Sequence, residues 1–239
     1  MGGFAYSIDP LRQSSADVIS SPGVSALVPD VQTPLGAGRK VRNPFTDVLE
    51  SDWFYDDVMY TYSKGLIKGT TKTQFGSEAP VTRGMLVTIL YRDAGNPEVA
   101  DMVNPFADIA AGEYYYAPVL WAAANGIVYG GDDGLYAPND AVTRQQLAAI
   151  LYRYALYSGF TLAKIDKDQK PDDLYGELCG YFKDANEFYA YTWTPIMTMA
   201  KTGIMIGDPG GRFNPNDFVT RAQTAAVLHR YHEIVELLK

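Results

Sequence analysis

The sequence contains one cysteine, Cys179, and only two histidines in 239 residues. A single thiol excludes a disulfide within the chain and a cysteine cluster that binds metal. It does not assign a compartment, because few cysteines suit both a cytosolic protein and an exported bacterial one. The longest apolar runs are far shorter than the ~20 residues of a membrane-spanning helix, so membrane insertion is not expected. The sequence also lacks a nucleophile elbow, a phosphate-binding loop and a histidine-rich motif, and it predicts neither an enzyme nor a cofactor.

Positive charge is in short supply. The 20 Lys and Arg residues are outnumbered by 28 Asp and Glu residues, and the formal net charge is −8. Such a field repels nucleic-acid phosphates and anionic bilayers, so no nucleic-acid partner is expected and any anionic ligand must be held by local cations. A polar stretch follows Met1 where a signal peptide would have an apolar core. The protein is therefore either cytosolic or cut from a longer secreted precursor.

What the sequence does contain is an internal repeat. The triplet Val-Thr-Arg occurs three times, and its arginine always comes 14 residues after the second glycine of a Gly-x-x-x-Gly segment. Fold and function must therefore be interpreted per repeat. The triplets are Val81-Thr82-Arg83, Val142-Thr143-Arg144 and Val219-Thr220-Arg221, and the glycine segments before them are Gly65–Gly69, Gly126–Gly130 and Gly203–Gly207.

The repeats divide the chain into four parts. Residues 1–42 show no sustained periodicity and are interpreted as a linker or the remnant of an upstream domain, with an extended segment packed on the core as the alternative. Repeat 1 covers 43–103, repeat 2 covers 104–180 and repeat 3 covers 181–239. Residues 159–180 of repeat 2 form an insertion that is partly charged and is expected to loop out. One such repeat is marginal alone, so three are expected to share a core.

Each repeat is predicted to be helix–loop–helix, which makes the fold all-α. The first helix is expected to start around Pro118 and Pro195, or Asp57 in repeat 1, and to end at the first glycine of the glycine segment. The second helix follows a threonine N-cap, and Gln146 and Gln223 complete capping boxes in repeats 2 and 3. Apolar residues recur at helical spacing behind each cap.

The arginine of each triplet falls at the first position of a helix. A cation there opposes the helix dipole, and a position that repeats against this preference needs a compensating partner. The partner is either an internal carboxylate, from the aromatic-x-Asp step that opens each repeat, or an external anion that also gains from free backbone N–H groups. The residues leave these alternatives about even. The aspartates of the three steps are Asp47, Asp108 and Asp184.

An aromatic cluster precedes the first helix of each repeat, and one aromatic always lies 12 residues before the cap glycine. Core packing is the commoner fate of an aromatic side chain, but exposed faces stack on sugar rings. Successive aromatics cannot all point inward, so at least one per repeat should be partly exposed. An aromatic face beside an arginine suits an acidic sugar. The residues at the fixed position are Trp53, Tyr114 and Tyr191.

Taken in order, aromatic-x-Asp, Trp-Tyr, Gly-Ile-x-x-Gly, Asp-Gly-x-Phe-x-Pro and Val-Thr-Arg-Ala-Glu are the pattern of the S-layer homology (SLH) domain. Residues 43–239 resemble three such domains in tandem. The resemblance implies a pseudo-threefold trimer of helical repeats made from one chain, hence a monomer, with ligand grooves between adjacent repeats. It also implies an extracellular module that anchors proteins non-covalently at the bacterial cell surface. The implied partner is a secondary cell-wall polysaccharide, commonly ending in a pyruvylated amino sugar whose ketal carboxylate supplies the anion.

The same resemblance assigns binding roles to residues of this chain. Arginines bind the anion, aromatics stack on the sugar, glycines offer backbone contacts, and aspartates orient groups in the pocket or brace the arginines. The residues are Arg83, Arg144 and Arg221; Trp53, Tyr114 and Tyr191; Gly69, Gly130 and Gly207; and Asp47, Asp108 and Asp184.

Repeat 1 departs most from the family pattern. The glutamate of Thr-Arg-Ala-Glu is glutamine in repeats 2 and 3 but Met85 in repeat 1, Thr71-Lys72-Thr73 replaces an Asp-Gly feature, and Gly84 loosens the helix start. The groove of Arg83 is therefore expected to be the weakest or only structural.

Two rival functions remain at this stage. An enzyme attached upstream is compatible with the family, although this chain itself predicts none. A protein–protein assembly module at the cell surface suits the many tyrosines but does not explain an arginine at each helix start. His229 and His232 lie three residues apart on the last helix and are expected to be solvated, because no further metal ligands accompany them.

Overall fold

The computed structural model describes residues 42–162 and 170–239. Residues 1–41, which carry the expectation of a linker or upstream remnant, lie outside the described residues, as do residues 163–169 of the insertion. The described residues form seven α-helices and have isolated β-bridges but no strand, which confirms the all-α prediction. The helices are α1 (Tyr55–Ser63), α2 (Arg83–Asp93), α3 (Tyr116–Ala124), α4 (Arg144–Tyr157), α5 (Pro171–Tyr181), α6 (Trp193–Lys201) and α7 (Arg221–Leu237).

The first helices of the repeats are α1, α3 and α6. Pro118 and Pro195 lie in the first turns of α3 and α6, where their missing N–H has no partner to lose. The residue after each C-cap is a glycine with positive φ, 72° at Gly65, 67° at Gly126 and 73° at Gly203. Glycine adopts this left-handed conformation without strain, so the predicted helix ends are confirmed.

The second helices, α2, α4 and α7, begin at the predicted threonine caps. The Thr143 hydroxyl accepts a hydrogen bond from the Gln146 N–H, and the Gln146 side chain accepts one from the Thr143 N–H at 3.0 Å. The same capping box starts α7. In α2 the Thr82 hydroxyl accepts from the Met85 N–H, without the reciprocal bond. Two complete boxes and one broken box are therefore confirmed.

The helices pack in a cycle. Helix α3 packs on α2, α6 packs on α4, and α1 packs on α7. The first helix of each repeat thus lies against the second helix of another, and repeat 3 closes onto repeat 1. A helix–loop–helix unit cannot bury its apolar face alone, and the closed cycle gives every unit two neighbours. This arrangement agrees with the implied pseudo-threefold trimer.

Three valines mark the pseudo-threefold axis at the starts of the second helices. The Val81 N–H donates to the Val219 carbonyl at 3.0 Å, the Val219 N–H to the Val142 carbonyl at 2.9 Å, and the Val142 N–H to the Val81 carbonyl at 2.9 Å. The three bonds form a closed triangle. All three side chains are buried, so each triplet joins the repeats at its first residue.

The insertion in repeat 2 does not simply loop out. Its described end forms α5, which starts at Pro171 and buries Leu174 and Leu178. Tyr175 of α5 packs on Trp193 of α6, with ring centroids 4.9 Å apart. The expectation was wrong for residues 170–180, because two apolar residues at helical spacing outweigh the charged residues around them.

The expectation of solvated histidines was also wrong. His229 Nδ1 lies 2.8 Å from an Asp57 carboxylate oxygen, and His232 Nε2 lies 3.0 Å from an Asp93 oxygen. The Tyr60 ring stacks on His229 at 3.9 Å, and its hydroxyl lies 3.1 Å from His232 Nδ1. Both histidines therefore belong to the seam where α7 of repeat 3 meets repeat 1, a partnership that the sequence separation concealed.

Candidate inter-repeat binding grooves

Each triplet arginine reaches from the start of a second helix to a loop of another repeat. Arg144 shows the pattern, with Nε donating to the Phe213 carbonyl at 2.7 Å and Nη2 to the Ile206 carbonyl at 3.0 Å. Arg83 makes the same pair of bonds to the carbonyls of Tyr136 and Tyr129, and Arg221 to those of Phe75 and Lys68. The direct partner is thus a pair of main-chain carbonyls, which neither alternative drawn from the sequence had named.

The guanidinium groups also lie over aromatic rings. The distance from the guanidinium carbon to the ring centroid is 4.5 Å for Arg83 and Tyr136, 4.8 Å for Arg144 and Phe213, and 4.7 Å for Arg221 and Phe75. Arg144 and Arg221 are each only 7% exposed, whereas Arg83 is partly exposed. Burial lowers the pKa of Arg144 to about 10, which leaves it charged at neutral pH.

The aspartates hold the same loops from the other side. The two carboxylate oxygens of Asp108 accept from the N–H groups of Tyr136 and Ala137 at 2.9 and 2.7 Å, and the Tyr136 carbonyl is an acceptor of Arg83. Asp47 holds the N–H of Phe75 and Asp184 that of Phe213 in the same way. Each aspartate therefore braces an arginine through the peptide that both contact.

Hydrogen bonding also sets the charge state of these carboxylates. Partial burial raises the pKa of Asp108, but the bonds from the Tyr136 and Ala137 N–H groups outweigh it, and the pKa falls below its ordinary value. The pKa of Asp47 is lowered by the balance of burial against the N–H groups of Phe75 and Gly76. Both groups are therefore anions at neutral pH.

The backbone N–H groups at the helix starts are not free for an anion. The Arg144 N–H donates to the Asp217 carbonyl at 2.9 Å, and the Gln145 N–H to the Pro215 carbonyl at 3.1 Å. The first two N–H groups of α2 and of α7 are paired with carbonyls of another repeat in the same way. The expectation of free donors was therefore wrong, because inter-repeat packing satisfies them.

The glycines Gly69, Gly130 and Gly207 have a packing reason to be glycine. A Cβ added to Gly69 would lie 2.5 Å from Phe45, one on Gly130 2.7 Å from Phe106, and one on Gly207 3.0 Å from Phe182. These phenylalanines open the aromatic-x-Asp steps, so each step covers the glycine loop of its own repeat. A backbone contact from these loops to a ligand stays a prediction.

The aromatic residues at the fixed position differ in exposure. Tyr114 is 55% exposed and Tyr191 is 51% exposed. Trp53 is partly buried and lies edge-on to Phe54, with ring centroids 5.2 Å apart. The expectation of at least one partly exposed aromatic per repeat is therefore met, and the two tyrosines present free surface to solvent.

The sequence interpretation missed a second set of arginines. They come nine residues after the triplet arginines and follow Tyr91, Tyr152 and His229, a constant spacing that could have revealed them. Arg92 Nη1 donates to the Leu66 carbonyl at 2.9 Å. Arg153 lies 4.7 Å from the Tyr129 ring centroid and 5.9 Å from that of Tyr191. The members of the set are Arg92, Arg153 and Arg230.

The grooves gather residues from more than one repeat. Arg83 of repeat 1 bonds to Tyr129 of repeat 2, and Arg153 of repeat 2 faces Tyr191 of repeat 3. Around Arg92, the neighbouring group that supports its charge is Tyr114 of the following repeat. A triplet arginine is therefore brought near the aromatic of another repeat rather than its own.

This geometry defines an all-α binding module of three repeats whose candidate sites lie between the repeats. Residues 44–84, 105–148 and 181–225 match the model of the S-layer homology domain, which amounts to more than half of the chain. The chain belongs to the S-layer homology domain family.

Similar proteins carry this module within longer chains. Over 86% of this chain, an endoglucanase of Bacillus sp. (strain KSM-635) is 26% identical, but the match covers 20% of that enzyme. A cellulosome-anchoring protein of Acetivibrio thermocellus is 23% identical over 78% of the chain and 40% of its own length. A surface-layer 125 kDa protein of Lysinibacillus sphaericus is 28% identical over 54% of the chain and 11% of its own length. The matched region is a binding module and not a catalytic domain.

Within residues 42–162 and 170–239, no helix has the length and apolarity required to cross a membrane. The same residues hold no group of three or more side chains of metal-ligand type.

Proposed function

We propose that this module attaches a protein non-covalently to the bacterial cell wall by binding a secondary cell-wall polysaccharide in its inter-repeat grooves. The observation that carries the proposal is the pairing of a half-buried arginine with exposed tyrosine faces at a junction of repeats, as at Arg153 and Tyr191. Membership of the family and the names of the anchoring and surface-layer relatives support it.

An acidic sugar fits the chemistry of these grooves. The net charge of −8 gives the molecule no general attraction for anions, so binding must depend on local guanidinium groups. A guanidinium matches a carboxylate in a two-bond fork, and tyrosine faces cover the apolar face of a sugar ring while the hydroxyl stays in water. We infer that the ligand group is a pyruvylated amino sugar, which combines a ring with a ketal carboxylate.

The residues predicted from the sequence divide into two roles in this proposal. Tyr114, Tyr191 and the partly exposed Arg83 touch the ligand, and Trp53 offers its accessible edge. Arg144, Arg221 and the aspartates Asp47, Asp108 and Asp184 hold the loops that form the groove walls, and Gly69, Gly130 and Gly207 let those loops lie close to the phenylalanines. The protein acts outside the cell as a monomer that contains its own pseudo-trimer.

Sedimentation with purified cell-wall sacculi tests the proposal. The protein should pellet with intact sacculi and stay in the supernatant after the secondary polymer has been removed. Retention on intact sacculi should fall when the synthetic pyruvylated monosaccharide is added as a competitor. Equal retention on stripped sacculi would instead support a protein–protein assembly role, for which Tyr189 (59% exposed) and Phe218 (61% exposed) provide surface.

A further inference from the structure

The three grooves differ at the residue whose carbonyl accepts Nη2 of the triplet arginine. That residue is Lys68 in repeat 1, Tyr129 in repeat 2 and Ile206 in repeat 3. Only repeat 2 places an aromatic ring there. Tyr129 is 60% exposed, so its ring lies open to solvent while its backbone is held by Arg83.

Tyr129 belongs to a cluster of exposed rings around one guanidinium. Arg153 lies over Tyr129 at 4.7 Å and over Tyr191 at 5.9 Å. Tyr191 in turn stacks on Tyr189 with centroids 5.9 Å apart and planes 10° from parallel. Three tyrosines that are each more than half exposed therefore form one continuous aromatic surface, with a cation set between two of them.

The charge of Arg153 is not neutralised by the protein around it. In the described part of the chain, Arg153 forms no ion pair with a carboxylate, and its contacts are the faces of Tyr129 and Tyr191. Burial lowers the pKa of Arg153, which shows that its charge has lost part of its water. Burial likewise raises the pKa of Tyr191, against the charges of Arg153 and Arg83, so both cations lie near this ring.

The equivalent arginine of repeat 1 is in a different situation. Arg92 donates to the Leu66 carbonyl at 2.9 Å, so part of its hydrogen-bonding capacity is used within its own repeat. The residue at the Tyr129 position in that groove is Lys68, which offers no ring. Arg153 is therefore the better placed of these two guanidinium groups to take a carboxylate in a two-bond fork.

We propose that Tyr129, Arg153, Tyr189 and Tyr191, with Arg83 beside them, form the principal subsite of the module and take one acidic sugar. The Arg153 guanidinium receives the carboxylate, and the rings of Tyr129 and Tyr191 receive the apolar face of the sugar. Tyr189 extends the stacking surface towards the next residue of the polymer. This inference rests on the proposed function and names the groove and residues that deliver it.

The proposal reverses the ranking that the sequence suggested. The groove of Arg83 was expected to be the weakest because repeat 1 departs from the family pattern. The residues that face the ligand in that groove, however, come from repeats 2 and 3. The departures at Met85 and Thr71-Lys72-Thr73 therefore lie on another face of the subsite or in another groove.

Calorimetric titration of the whole chain with the synthetic pyruvylated monosaccharide tests the proposal. Arg153→Gln should weaken binding by about 10- to 100-fold, the range for a lost hydrogen bond between charged groups. Arg92→Gln should weaken it less. Tyr129→Ile introduces the residue that repeat 3 already has at this position, so it should lower affinity without harming the fold. Lys201→Gln, which removes a cation paired with Glu177 at 2.7 Å outside the grooves, is the control for net charge.

The outcomes separate this inference from the proposed function. If the wild-type protein fails to bind both the monosaccharide and intact sacculi, the proposed function is wrong. If the wild-type protein binds but Arg92→Gln costs as much affinity as Arg153→Gln or more, the assignment of the principal subsite is overturned while the function stands. Thermal unfolding of each variant ensures that a lost affinity is not a lost fold.

Discussion

The triplet arginines show how one residue can satisfy a structural need that looks functional in the sequence. Each opposes the dipole of its own helix, but two carbonyls and an aromatic ring compensate for it, as Phe213 and Ile206 do for Arg144. The acceptors lie 46 to 153 residues away along the chain. Spacing revealed that a partner was needed and could not identify which one.

The clamp around Arg144 leads to a prediction about stability. Arg144→Ala leaves the buried carbonyls of Phe213 and Ile206 without a donor. Each hydrogen bond from a charged group contributes about 1.5–3 kcal/mol, so the free energy of unfolding in urea should fall by at least about 2 kcal/mol. Arg83→Ala should cost less, because Arg83 is more exposed. An Arg144→Ala variant with wild-type stability and lost binding would restore the view that this arginine waits for an external anion.

The aspartates give the clamp a dependence on pH. The pKa of Asp108 is lowered in the folded protein, so its anion stabilises the fold above the ordinary pKa of 3.8, and this contribution is lost as the pH falls below that value. Asp108→Asn should lower the unfolding temperature at pH 7 and flatten its fall between about pH 5 and pH 2. Thermal melts across this range measure both effects. Parallel curves for the two proteins would show that Asp108 does not titrate with folding.

At the scale of helices, local signals were sufficient for prediction. Gly65, Gly126 and Gly203 end the first helices, and Thr82, Thr143 and Thr220 cap the second ones. These signals act within a few residues, so the sequence alone contains them. Helix α5 was missed because Leu174 and Leu178 gain their stability by packing against another helix, which no local pattern specifies.

The broken capping box of α2 can be repaired as a test. Met85→Gln should let the new side chain accept from the Thr82 N–H, as Gln146 does from Thr143 at 3.0 Å, and raise the free energy of unfolding by about 0.5–1.5 kcal/mol. The reverse change, Gln146→Met, should remove a similar amount from repeat 2. Urea unfolding of both variants provides the comparison. A stabilising Gln146→Met would contradict the role of the box.

At the scale of the whole molecule, the repeats are held together by contacts that only the closed cycle provides. The valine triangle takes one residue from each repeat, and the pairs His229–Asp57 and His232–Asp93 join repeat 3 to repeat 1. The sequence predicted three repeats and a shared core. It could not predict this seam, because the contacting residues lie more than half the chain apart, as the separation of 172 residues between His229 and Asp57 shows.

Splitting the chain tests how far stability depends on closure. A fragment of residues 1–162 leaves α1 without α7 and α4 without α6, and the Val81 N–H loses the Val219 carbonyl. Neither this fragment nor residues 163–239 should fold alone, since each exposes an apolar face that the other covers. Mixed together, they should recover helical circular dichroism in a concentration-dependent way. Val219→Pro removes the donor to Val142 and should weaken the recovery more than Val219→Ala, which keeps the N–H. Cooperative unfolding of the first fragment by itself would show that two repeats are a sufficient unit and that closure adds little to the fold.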